Sequence, residues 1–226
     1  MKGYAMLRKA LFALLFVSPM SLKNSLISRF VILCTLTCPM VVLSADSVVE
    51  HVEKSVLETD AIPSGNTVWL YTSKDSERKE TLYRARFVTQ MTTTCLSKID
   101  FSSPQVLDQI NRKTTFIDED GQLRGERPAG LLTITFDTDV EESNSLTQTP
   151  AYFSFKQRLY NYNMFVEEAR FSFVLSPTTA SSMLVDVSAS NRVSSGIPGW
   201  VNNMFQSNVE DKVLHFQSAL IGLCSK

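Results

Sequence analysis

The sequence predicts an α+β domain in which a curved antiparallel β-sheet of six or seven strands wraps around one long C-terminal α-helix, with short helices near its start. Three observations carry that expectation. Between Thr67 and Ala189 apolar residues recur at every second position in short runs separated by turn-forming residues, as half-buried antiparallel strands require. From Val201 onward the spacing changes to three or four, which places Val201, Phe205, Val209, Val213, Phe216, Leu220 and Cys224 on one stripe of a helix. The composition is globular: 226 residues, 44% hydrophobic and 20% charged, with 8 Gly and 8 Pro. It excludes collagen, a disordered chain and a polytopic membrane protein.

Residues 1–45 read as an address rather than as part of the fold. They carry five cations (Lys2, Arg8, Lys9, Lys23 and Arg29) and no Asp or Glu. Their two apolar stretches, 10–17 and 30–43, are each shorter than the roughly 20 residues that a spanning helix needs. The second has basic residues before it and small Ser44 and Ala45 after it, the layout of a secretory signal peptide. Cleavage is expected after Ala45, with Met20 as an alternative start and no stable membrane span afterwards. Cys34 and Cys38 lack the small residues that precede a lipid-attachment cysteine. Export to the periplasm or beyond leaves Cys95 and Cys224, an even number suited to a disulfide in an oxidising compartment. Such a bridge would contribute ~4–5 kcal/mol in the chain-entropy model. The alternative, a reactive thiol, needs a neighbouring base or cation that the local sequence does not supply.

Residues 46–226 carry 17 cations and 23 anions, so the part that folds is acidic. No Lys/Arg run reaches the density of a nucleic-acid or anionic-membrane surface, which excludes both as general partners. The length suits a single domain, 46–226, able to bury roughly 70% of its unfolded surface. Its first segment, 46–60, reads as a short helix with Val49, Val52 and Val56 on one face, ended by Ile62, Pro63, Ser64 and Gly65. Thr67–Thr72 and Thr81–Met91 form a hairpin across the polar stretch 73–79. Tyr83, Ala85, Phe87 and Met91 share its buried face, against Arg84, Arg86 and Gln90. Ser103 caps a second short helix with Pro104 at its first position and Val106, Leu107 and Ile110 on its apolar face.

Strands then resume. Arg112–Ile117 and Gln122–Arg127 flank the turn 118–121, where Gly121 supplies a positive φ. Leu132, Ile134 and Phe136 alternate with polar residues, Tyr152–Tyr162 is rich in aromatics, and Phe165–Leu175 pairs with Met183–Ala189. After Gly196–Gly199 the last helix runs for about 25 residues, roughly 37 Å, with Cys224 on its buried stripe where Cys95 could meet it.

This order of elements is that of the helix-grip fold. Three stretches are more specific: Glu168-Ala-Arg-Phe-Ser-Phe-Val-Leu-Ser-Pro177, Met183-Leu-Val-Asp-Val-Ser-Ala-Ser190 and Gly196-Ile-Pro-Gly-Trp-Val-Asn-Asn203. Together they resemble the C-terminal half of START (steroidogenic-acute-regulatory-related lipid-transfer) domains, in which two strands lead into a G-x-I-P-x-W-x-x-N opening of the last helix. Gly65–Thr72 followed by Tyr83-Arg-Ala-Arg86 looks like that family's first hairpin. The wider superfamily includes polyketide cyclases and plant allergen-like carriers. The chain departs from the family in its centre, where Asn111–Thr115 stands in place of a tryptophan near an acidic residue.

The resemblance implies a cavity between sheet and last helix that holds a hydrophobic small molecule or lipid. Inward strand positions give its expected walls: Phe87, Met91, Leu132, Ile134, Phe136, Phe171, Phe173, Met183 and Val185, with Trp200, Met204 and Phe205 at the start of the helix. The same residues could instead fill a solid core in a partner-binding domain. A third reading is an enzyme of cyclase or hydrolase type that uses Arg170 or a cavity carboxylate such as Glu168; adjacent Glu167 and Glu168 point to opposite faces of a strand. No metal or cofactor is expected. His51 and His215 have no ligand spacing to a second His or a Cys, and no phosphate-cradling Gly loop or nucleophile elbow occurs.

Overall fold

Nine strands form one open, curved sheet in the computed structural model, which describes residues 47–129, 131–194 and 209–225. In chain order the elements are β1 (Val48–His51), α1 (Lys54–Leu57), β2 (Thr67–Asp75), β3 (Glu80–Gln90), α2 (Thr93–Leu96), α3 (Pro104–Ile110), β4 (Thr115–Glu119), β5 (Gln122–Ala129), β6 (Leu132–Asn144), β7 (Phe153–Tyr160), β8 (Val166–Pro177), β9 (Ser182–Val193) and α4 (Val209–Leu223). Across the sheet the strands run β1-β2-β3-β9-β8-β7-β6-β5-β4, and all neighbours are antiparallel except β1 and β2. The eleven-residue ladder from Glu80↔Arg192 to Gln90↔Ser182 joins the N-terminal hairpin to the meander.

The sheet has nine strands rather than six or seven, because β1 adds one margin and the β4–β5 hairpin lies in the same sheet at the other. The expected helix over 46–60 is corrected to a strand followed by a single helical turn. Val48 and Val49 are β-branched, and pairing Val48↔Thr67 through His51↔Leu70 gives that segment a ladder. An isolated helix needs about 12–15 residues to be even marginally stable. The turn between β4 and β5 forms as its sequence predicts: Asp120 and Gly121 have φ of 55° and 83°, and Asp118 Oδ1 accepts from Gly121 N at 2.9 Å.

Helix α4 lies on one face of the sheet and buries Val213, Phe216 and Leu220, as the stripe predicts. Its described part is 15 residues, roughly 22 Å long. The first half of the expected 25-residue helix, the Gly196–Asn203 motif, Trp200, Met204 and Phe205 lie outside the described residues. Phe216 packs on Phe173 and Phe171 at centroid distances of 5.1 and 5.2 Å and on Phe87 at 6.2 Å. Phe155 stacks on Phe173 at 4.9 Å, and Phe101, from the loop before α3, fills the end of this cluster against Phe153 and Phe173. These rings, with Met91, Met183 and Val185, form a close-packed core.

The helix is also fastened at its edges. Cys224 forms a disulfide with Cys95 of α2, with the Cα atoms 5.8 Å apart, and His215 Nε2 lies 2.9 Å from the Gln109 carbonyl of α3. Helix α3 is in turn fixed to the sheet margin, because the Phe116 amide of β4 donates to Asp108 Oδ1 at 2.5 Å. On the other face of the sheet, Arg86 is only 10% exposed. Its guanidinium donates to Asp186 at 2.6 Å and to the carbonyls of Thr59 and Ala61, so the segment after α1 covers a position that alternation alone assigns to solvent.

Two substitutions test these contacts. A Cβ on Gly125 of β5 would meet the buried Phe136 ring well inside contact distance, so Gly125→Ala is expected to destabilise the fold by ~1–3 kcal/mol in urea unfolding. Phe136→Leu in the same chain should recover part of that loss. Replacing Cys95 and Cys224 together by Ser is expected to lower stability by ~2–4 kcal/mol. A double variant that unfolds like the native protein would mean that packing alone holds the end of α4.

Candidate functional site

Where α4 crosses β3 and β9, large residues give way to small ones. Ala85 is paired with Val187, and Ala189 lies between Tyr83 and Phe171 in the adjoining strands. The short side chains leave a hollow of about 150 Å³ between sheet and helix, the size of an engineered apolar cavity that takes benzene. Its sheet wall is Ala85, Phe171, Val187 and Ala189; its helix wall is Val209, Val213 and Phe216; Ile110 closes one end. Tyr83 and Val209 also line an adjoining groove of about 430 Å³ that runs past His51, Lys74 and Glu210.

The polar part of the lining is cationic. Arg112, Arg127 and Lys212 all reach the hollow, with Asn111, Thr114 and Tyr83, and no described acidic residue lines it. Arg127 arrives there by alternation along β5, where Leu123, Gly125 and Arg127 share a face and Gly125 lies under the Phe136 ring. Arg112 follows α3, which the Asp108–Phe116 bond holds at the sheet margin, and pairs with Asp211 at 3.4 Å. Burial pushes the Arg127 guanidinium down; Tyr162 opposes that fall and the nearby Arg112 adds to it. Burial, and then the charge of Arg127, bring the Lys212 ammonium down to about 8. The phenols of Tyr83 and Tyr162 are pushed up by burial, which at Tyr162 outweighs the opposing pull of Arg127, so at neutral pH Tyr162 is an uncharged phenol.

Of the residues expected to line the cavity, Phe171 does. Phe87, Met91, Ile134, Phe136, Phe173, Met183 and Val185 are buried in the core instead, Phe87 and Phe173 against Phe216 and Phe136 against Phe116 and Tyr162. Leu132, at the start of β6, is 51% exposed. Tyr83, Ala85, Val209, Val213 and Phe216 belong to the faces that the sequence marks as buried. Alternation from Leu123 is the sequence signal for Arg127, while Arg112 and Lys212 have none.

Glu168 and Arg170, the groups considered for acid/base chemistry, lie on the opposite face of the sheet from the hollow, because they alternate with Phe171 and Phe173. There the Glu168 carboxylate is 2.7 Å from Arg158, 3.1 Å from Arg170 and 3.5 Å from Arg192, and the bond from Arg158 holds it below the usual carboxylate range. With Glu80, Arg170, Ser190 and Arg192 it lines a separate polar pocket of about 120 Å³.

No protein-family model and no curated protein matches the sequence. Among solved structures, the chain is similar to a START superfamily protein from Mycobacterium smegmatis, with 18% identity, 64% of this chain and 97% of that one covered, and a TM-score of 0.47. Human StAR-related lipid transfer protein 5 gives 13% identity over 72% of this chain and 84% of its own, with a TM-score of 0.47. Norcoclaurine synthase from Thalictrum flavum gives 11%, 65%, 87% and 0.43 for the same quantities. These are likenesses of outline alone; the hollow and its charges are properties of this chain's own residues.

Lys212 provides a stability test. Its proton is held less tightly in the folded chain than in the unfolded one, so the charged form opposes folding below about pH 8, and stability rises from there to the ordinary lysine range near ~10.5. Lys212→Met is therefore expected to unfold at higher urea than the native protein at pH 7, by ~1–3 kcal/mol, and to lose the difference by about pH 10.5.

Proposed function

We propose that this protein is an exported binding or carrier protein for a small hydrophobic molecule, held without covalent chemistry in the hollow beneath α4. The observation that carries the reading is the hollow itself: a space with apolar walls, bounded by a helix that is packed on the sheet and tied to α2 by a disulfide. Ligand sites are concave and mostly apolar, with a few polar groups to fix orientation, and this site has that composition. Its volume suits a single ring or a short chain, whereas drug-sized ligands occupy about 300–1,000 Å³. A sterol or diacyl lipid would need the helix to lift. Export is supported by the signal-like layout of residues 1–45 and by the Cys95–Cys224 bridge, which persists in oxidising compartments.

Organic extraction of the purified protein followed by mass spectrometry is expected to release a copurifying hydrophobic molecule. Ala189→Phe, which fills the hollow with a ring, is expected to release none while folding normally. Equal yields from the two proteins, or empty extracts from both, would remove the reading.

A further inference from the structure

The walls of the hollow accept any small apolar body, but its polar groups do not. Resting on the binding role above, we propose that the ligand is a small carboxylic acid, with its ring or short chain against Phe171, Val187 and Phe216 and its carboxylate received by Arg127 and Lys212.

The charge distribution carries the inference. Residues 46–226 hold more anions than cations, yet this hollow gathers three cations and no described carboxylate. Arg127 is the informative member. It occupies an inward position of β5, where pattern favours an apolar residue, and among the described residues no carboxylate lies within ion-pair distance of it. Its neighbour Tyr162 is a neutral phenol, while Arg112 is engaged at one side by Asp211. A part-buried guanidinium is desolvated unless an anion meets it, and its planar fork matches a carboxylate through two parallel hydrogen bonds. A neutral ligand of the same shape would fill the apolar part and leave that desolvation in place. Acid and neutral isostere should therefore differ sharply in affinity.

Isothermal titration of the native protein with benzoate and hexanoate, beside benzyl alcohol and hexanol, tests this. The acids are expected to bind about tenfold or more tightly than the alcohols. Arg127→Gln should remove that preference and leave the alcohols unchanged, and Arg127→Lys should restore part of it. Because Lys212 faces Arg127 of β5, Arg112 after α3 and Tyr83 of β3, with Asp211 beside it on its own helix, acid binding at about pH 8–9 should be accompanied by proton uptake, seen as a heat that depends on the buffer. Alcohols that bind as tightly as the acids would overturn the carboxylate assignment and leave the binding role standing. No heat from any of the four at about 10 mM would remove both. An Arg127→Gln protein that folds and keeps the preference would also overturn the assignment.

Discussion

Phe216 is the contact on which the arrangement depends. Its ring lies edge-on to Phe171 and against Phe173 and Phe87, so one side chain of the helix engages β3 and β8 together. Burying such a ring contributes ~1.5–3 kcal/mol, and each favourable ring pair adds about 0.5–1.5 kcal/mol. The contact also sets the limit of the site. With the helix drawn down this far, a space that Ala85 and Ala189 fail to fill remains beneath it, and inward rings such as Phe87, Phe136 and Phe173 become core instead of cavity wall.

The two faces of the sheet divide the charges. On the side away from the helix, carboxylates and guanidinium groups neutralise one another around Glu168, and Arg86 is taken up by Asp186 and two carbonyls. On the helix side, Arg112, Arg127 and Lys212 line the hollow without a described acid among the lining residues, and Arg112 pairs with Asp211 beside it. The acidic exterior does little to oppose them at close range, since surface charges are screened over about 8–10 Å at physiological salt, while charges held in a part-buried hollow are screened much less. The chain can therefore be anionic as a whole and still present a cationic interior.

Local signals in the sequence accounted for most of the fold. Alternation marked the hairpins, Asp120-Gly121 marked a turn, and the three-and-four spacing through Val209, Val213, Phe216 and Leu220 marked the helix stripe. The pairing of Cys95 with Cys224 followed from count and placement. What was not legible depended on tertiary context. Val48–His51 is a strand only because β2 lies beside it. Periodicity assigned Phe87, Phe173 and Val185 to the inward face correctly, but it has no term for whether an inward side chain meets empty space or another ring. Arg127 shows a related limit: a cation in a strand ordinarily faces water, so the alternation from Leu123 that turns it inward is decisive only with β5 anchored by Gly125 under Phe136.

An open sheet has two margins, and both are guarded. The first is brief: β1 is four residues long, and its Glu50 carboxylate accepts a hydrogen bond from the Trp69 indole. At the other, the Asp108 carboxylate already occupies the Phe116 amide, and Asp118 and Glu119 place negative charge at the tip of β4. Unguarded strand margins template the addition of further strands from other molecules. A second copy approaching β4 finds that donor taken and like charges beside it, so the side chain that seats α3 also helps to keep a nine-stranded sheet from growing into a fibre.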